Sequence, residues 1–192
     1  KAAAQALLAK VHLTTGDYAP ARLLLQSVVS SGNFSLESNF NNIFYDEDNS
    51  ETIFAIGYTA DGLDSQNFSA EWLNAVGRTS GVNYVTSDAV SAFESFGGTR
   101  GVSSYRIDPD QPSQPQVTKY LPVSSDPTKA GNDWIVLRYA DVLLMHVESI
   151  LAGGNETNDP AALASFQLIR NRAGLTTPVT SITKTELLNE RR

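Results

Sequence analysis

The stretch Leu137-Arg138-Tyr139-Ala140-Asp141-Val142-Leu143-Leu144-Met145, then Glu148, Gly153-Gly154 and Ile169-Arg170-Asn171-Arg172-Ala173-Gly174-Leu175, decides the fold of this 192-residue chain. Ile135, Leu137, Ala140, Leu143, Leu144, Val147 and Leu151 recur at helical spacing, which predicts one long helix starting at Trp134. Gly153-Gly154 stops it. Asp159-Pro160 reads as an N-cap followed by a first helical position. The helix it opens runs through Leu163, Phe166, Leu168 and Ile169 to Gly174, a natural C-cap. Together the two helices make a hairpin. Thr183 with Glu186 three residues on is a capping-box candidate for a further helix.

A second hairpin is legible at the other end. Leu7, Leu8, Val11 and Leu13 form an apolar stripe in an Ala-rich background, and Gly16-Asp17 interrupts it. The following helix is predicted to turn Ala21, Leu24, Leu25, Val28 and Val29 inward before Ser30-Ser31-Gly32-Asn33 ends it. Leu8, Ala9, Gly16, Tyr18, Ala21 and Leu25 fall at tetratricopeptide intervals, with small Ala9 and Ala21 allowing close helix approach. The chain opens inside a helical pattern at Lys1 and stops inside one at Arg192, so it reads as a fragment cut at both ends.

Between the hairpins the pattern changes. Thr52-Ile53-Phe54-Ala55-Ile56 is a short strand candidate after the acidic run Asp46-Glu47-Asp48-Asn49-Ser50-Glu51. Residues 57–133 are rich in Gly, Ser, Asn, Asp and Pro, and are expected to be mostly loop. A helix is expected near Ser87–Phe96, capped by Ser87 or Asp88, with short strands near Tyr105–Ile107 and Val117–Leu121. The fold class is therefore mainly α: tetratricopeptide-like helical hairpins, as in an α-α superhelix, with a long loop-rich region and a few short strands. The division is 1–32 as a hairpin, 33–133 as a loop-rich ligand face, and 134–192 as a hairpin plus the start of a further helix, all within one domain.

Composition narrows the chemistry. Fourteen Lys+Arg against 21 Asp+Glu leave a net charge of −7, contrary to the basic face a nucleic-acid binder needs. With no Cys there are no disulfides, thiolate metal sites or Cys nucleophiles in this chain. His12 and His146 both lie in helical patterns with no adjacent nucleophile motif, so they read as helix-face or core histidines. Asp46, Asp48 and Ser50 begin like a calcium loop, but Glu51 and Gly57 stand where Gly and Glu are required, which leaves a solvated acidic turn. Gly97-Gly98-Thr99-Arg100-Gly101 lacks phosphate-loop spacing and reads as a turn, with Arg100 paired to an acidic neighbour. No catalytic residue, metal or cofactor is expected.

The positive signal is the loop region's store of flat rings and amides. Rings stack on the apolar faces of sugars or on peptide planes, and amides bond hydroxyls, at little entropic cost for the rings. Trp72, Tyr84, Asn83, Tyr58 and Asn67 are the candidate ligand-binding residues, with Trp72 first because a Trp in a polar loop has few core neighbours. Trp134, at the head of the long helix, is expected to pack in the core.

The opening motif resembles the SusD/RagB-like family of bacterial outer-membrane nutrient-binding lipoproteins. That family writes R-Y-A-[DE]-x-L-L-M-x-A-E-A, a short Gly-containing turn, then N-x-V-R-x-R-A-G-L. His146 stands where the family often has Tyr, Val147 and Ser149 replace Ala, and Ile169 replaces Val. Leu7–Leu13 with Gly16-Asp17-Tyr18, Asn33-Phe34-Ser35-Leu36, Glu51-Thr52-Ile53-Phe54, Lys119-Tyr120 and Leu187–Arg191 resemble further family segments in the same order. The resemblance implies a non-enzymatic, surface-exposed lipoprotein of the cell outer membrane. Such a protein captures glycan, or in some members peptide, for a TonB-dependent SusC-like transporter. Membrane contact would run through a lipid anchor outside this fragment. A generic helical-repeat interaction module is the competing reading. The matched motifs are structural: Arg138, Asp141, Glu148, Arg170 and Arg172 are expected to form ion pairs within and between helices.

Overall fold

A computed structural model describes residues 1–71, 84–107, 109, 112–121, 126 and 128–192. The chain divides into two compact units, one made of Lys1–Ser38, Ser50–Phe54 and Val136–Arg192, the other of Asn39–Asn49 and Ala55–Ile135.

The first unit is helical. Helices α1 (Ala2–Thr15) and α2 (Tyr18–Val29) form a hairpin about Gly16, whose φ of 80° gives the left-handed turn that Gly adopts without strain. Its seam is made by Ala6, Ala9, Ala21, Leu25 and Val28. The buried face of α1 is thus its alanines, which bring the helix axes close. Of the predicted stripe, Leu13 packs against this core, whereas Leu7, Leu8 and Val11 face outward at 40%, 48% and 57% exposure.

Helix α7 (Tyr139–Leu151) is the axis of this unit, with ten of its residues buried among α1, α2, α8 (Pro160–Arg172) and α9 (Lys184–Arg191). It ends as expected, at Ala152 and Gly153, both left-handed. Helix α8 begins at the expected cap, where Asp159 Oδ1 accepts the Ala161 N–H at 2.8 Å. It buries Ala162, Ser165, Phe166 and Ile169, while Leu168 faces outward. At α9 the capping box forms: Thr183 Oγ1 accepts the Glu186 N–H, and Glu186 Oε2 accepts the Thr183 N–H at 2.8 Å. Strands β5 (Glu156–Thr157) and β6 (Ile182–Thr183) pair antiparallel, Glu156 with Thr183, and so position that cap.

The expected start of the long helix is corrected. Trp134–Arg138 is a strand, β4, paired with β1 (Thr52–Ile56), and α7 starts only at Tyr139. Trp134-Ile135-Val136 is an aromatic and β-branched run that suits a strand once an edge is available. A short apolar run cannot be told from a helix by spacing alone.

Two of the three arginines of the opening motif, Arg138 and Arg172, converge on one carboxylate. Glu51 is fully buried; its Oε1 accepts from Arg138 Nη1 and its Oε2 from Arg172 Nη1, both at 2.7 Å. Oε2 also accepts the Glu37 N–H at 2.9 Å, and the Glu51 carbonyl accepts the Tyr139 N–H at the start of α7. The remaining pairs reach α9 and α1: Arg191 to Glu148 at 2.7 Å and Asp141 at 3.2 Å, Arg170 to Glu190 at 3.5 Å, and Lys10 to Asp141 at 3.9 Å. The ion pairs therefore form, but with the head of β1 as a partner as well as helices. His146 is a core histidine, its Nδ1 3.0 Å from Ser165 Oγ.

The second unit carries short elements: α3 (Asn42–Tyr45), α4 (Phe68–Glu71), α5 (Ser87–Phe96), α6 (Arg100–Ser104), and β2 (Tyr105–Arg106) paired antiparallel with β3 (Gln116–Val117). The cap of α5 is Thr86, whose hydroxyl accepts the Ala89 N–H at 3.3 Å, rather than Ser87 or Asp88. Arg100 opens α6 and donates to the Gly97 and Phe96 carbonyls, so the Gly-rich turn leads directly into another helix.

Candidate functional site

The second unit gathers its rings in one place. Phe68, the first residue of α4, sets its ring edge-on to Tyr58 at 6.1 Å, Tyr120 at 5.8 Å and Trp134 at 5.0 Å between centroids. Tyr120 and Trp134 stack at 5.7 Å with an interplanar angle of 19°. Tyr120 also meets Phe44 edge-on at 5.0 Å, which ties the cluster to Phe40 and Ile43 beneath. Trp134 keeps 39% of its surface exposed, so its indole is anchored by rings and open to solvent together.

Backbone geometry aims these rings. Tyr120 has a φ of 58°, a left-handed conformation unusual for an aromatic residue. The Tyr45 hydroxyl holds this turn from both sides, donating to the Thr118 carbonyl and accepting the Leu121 N–H at 3.1 Å. Burial raises the Tyr45 pKa, against the Leu121 N–H and the Arg106 charge, so the hydroxyl keeps its proton for Thr118.

Residues 57–66 lie along residues 129–133. Gln66 and Ala130 exchange both backbone hydrogen bonds at 2.9 Å, and the Tyr58 N–H donates to Asp133 Oδ1 at 3.1 Å. Gly131 is required here, because a Cβ on it would stand 2.9 Å from the Ala60 nitrogen. The bond from Tyr58 ties its backbone to Asp133, the residue that precedes Trp134. Gln66 Nε2 donates to Ser69 Oγ at 2.8 Å, which fixes the start of α4 and hence Phe68. Lys119 sits over the Phe40 and Phe44 rings at 5.2 Å and 5.4 Å.

The sequence-derived candidates divide accordingly. Tyr58 is in the ring cluster. Asn67 is exposed immediately before Phe68. Tyr84 is 48% exposed and joins none of the ring pairs among the described residues. Trp72 and Asn83 lie outside the described residues. Trp134 and Tyr120 were missed as candidates: the helical spacing around Trp134 sent it to the core, and Tyr120 had no local motif beyond Lys119-Tyr120. The signal for Trp134 was its place directly after the polar Gly131-Asn132-Asp133 segment. Among the described residues, no group of three or more His, Cys, Asp or Glu is placed to hold a metal ion. Nor is any helix among them long and apolar enough to cross a membrane.

Comparison with known proteins follows the same outline. Residues 111–192 match the model of the SusD family. A surface glycan-binding protein A from Bacteroides fluxus is 26% identical, with a TM-score of 0.78 over 99% of this chain and 48% of its own. A surface glycan-binding protein A from Bacteroides thetaiotaomicron, solved with laminarihexaose, is 21% identical, with a TM-score of 0.75 over 99% of this chain and 50% of its own. A SusD superfamily protein from Parabacteroides distasonis is 22% identical, with a TM-score of 0.79 over 99% of this chain and 48% of its own. The chain thus spans about half the length of these solved structures. No curated protein matches it.

Proposed function

We propose that this chain, whose residues 111–192 match the SusD family model and whose fold is similar to SusD-like structures, is part of a non-enzymatic protein that captures glycan at the cell surface. The observation that carries this reading is the half-exposed Trp134 on a frame of Tyr58, Phe68 and Tyr120, with Asp133 beside it. An indole held by neighbouring rings loses little entropy when a sugar ring stacks on it, and adjacent carboxylate and amide groups accept and donate to hydroxyls. The laminarihexaose bound by one structural relative supports the ligand class. Asn67 and Tyr84, with Trp72 and Asn83, complete the proposed binding set.

The finer reading rests on the family resemblance. The captured oligosaccharide passes to a TonB-dependent SusC-like transporter, and the parent protein sits on the outer membrane as a surface lipoprotein held by a lipid anchor.

The test is binding by the full-length protein to a panel of oligosaccharides, by affinity gel and calorimetry. Trp134→Ala is expected to weaken binding by about 1–3 kcal/mol, the contribution of one large stacked and buried ring. Binding of peptides with no retention of any glycan moves the protein to a peptide-capturing role. Unchanged glycan affinity in Trp134→Ala removes this ring cluster from the site.

A further inference from the structure

The charge of the chain is unevenly placed. The first unit holds nine acidic and nine basic residues, which cancel, whereas the second holds 12 acidic and five basic, so the whole −7 falls in the unit that carries the ring cluster. One of those carboxylates lies beside the rings. Asp133 directly precedes Trp134 and accepts from Tyr58, and Asp61 and Asp64 lie on the segment bonded along residues 129–133. Asp61 Oδ1 accepts the Leu63 and Asp64 N–H groups, and Asp126 accepts from the Thr128 hydroxyl and N–H, so both stay ionised well below neutral pH.

The described cations of this unit are committed to other duties. Arg100 donates to the Gly97 and Phe96 carbonyls. Arg106 gives two donors to Gln116 Oε1, at 3.1 Å and 2.9 Å. Lys119 lies over Phe rings, and Lys129 is 3.7 Å from Asp126. Recognition of a uronate or sulfate group needs a guanidinium or ammonium turned toward the ligand. Here the group next to Trp134 is the Asp133 carboxylate, which accepts from neutral hydroxyls and repels anions.

We infer that the ring cluster selects neutral glycans and rejects polyanionic ones, Asp133 beside Trp134 and the acidic excess of its unit setting the specificity. This rests on the glycan-binding reading above. Raising the ionic strength screens the repulsion, because the Debye length shrinks from about 30 Å at 0.01 M to about 3 Å at 1 M.

The experiment is affinity electrophoresis of the full-length protein and its Trp134→Ala variant. The gels hold either neutral polysaccharides (laminarin and xyloglucan) or anionic ones (polygalacturonate and alginate), at low and high salt. The expected result is retention by a neutral polymer that Trp134→Ala loses, with retention by the anionic polymers weaker by about tenfold or more at low salt and the gap narrowing at high salt. Low-salt retention by an anionic polymer, equal to the neutral one and lost in Trp134→Ala, overturns the inference while leaving glycan binding intact. Retention by none of the four polymers overturns the glycan reading itself, and this inference with it.

Discussion

Glu51 shows how much one buried side chain can organise. It satisfies two guanidiniums through its carboxylate and starts α7 through its carbonyl. Arg172 is nearly as buried as Glu51, so removing the carboxylate leaves a buried charge without its counter-ion. Glu51→Ala is expected to destabilise the fold by about 3–5 kcal/mol, read as a lower midpoint in chemical denaturation. A loss below about 1 kcal/mol contradicts the clamp. His146 makes a second residue-level prediction. Burial lowers its pKa from the ordinary 6.5, and the Arg22 charge lowers it further, against Asp159. The unfolded chain then binds the proton more readily than the folded one. Stability is therefore full above the ordinary histidine value, falls as pH drops below it, and levels off once the folded-state pKa is passed. Denaturation midpoints at pH 7.5 and 5, compared with those of His146→Phe, isolate this contribution; equal pH slopes in the two proteins refute it.

At the scale of elements, the capping box of α9 makes the next prediction. The Thr183 N–H and then its hydroxyl hold the Glu186 carboxyl below the usual 4.5. The carboxylate's contribution is present above that value and is lost as pH falls through the lowered one. Thr183→Ala is expected to cost about 1 kcal/mol at neutral pH, measured by thermal melting, and to keep part of that cost in strong acid, because the bond from the Glu186 N–H to the Thr183 hydroxyl does not titrate. The caps at Asp159 and Thr183 were legible because each depends on residues two or three positions apart. The Thr52–Ile56 strand was legible from its own composition. What escaped was non-local. The burial of Ala6 and Ala9 rather than Leu7 and Leu8 depends on which face of α1 meets α2 and α7. Strand β4 exists because β1, some 80 residues earlier, offers it an edge. The ring cluster joins residues 58, 68, 120 and 134, which no local spacing connects.

Across the whole molecule, regular structure and burial are unequally shared. Helix α7 buries ten residues, whereas α5 buries none. Backbone opening follows burial and contact density, so native-state hydrogen exchange is expected to be slowest in α7 and the facing parts of α2 and α8, and faster by orders of magnitude in α5 and residues 57–66. Uniform protection along the chain would refute that ordering. The same contrast suits the proposed role: a well-packed helical layer tolerates little change, while the loops around the ring cluster can vary without a cost in core packing.

The five residues Ser50–Phe54 belong to the helical unit although they are flanked on both sides by segments of the other. This sets a rule for dissecting the protein. A trimmed version that joins Ser38 directly to Val136 keeps every helix of the first unit but takes the Glu51 carboxylate away from Arg138 and Arg172. A deletion confined to residues 58–133 keeps Glu51 and so keeps the clamp. Module boundaries in this chain follow charge pairing rather than chain order, and a swap of the loop-rich segment between relatives has to carry its splice points beyond Phe54 and before Val136.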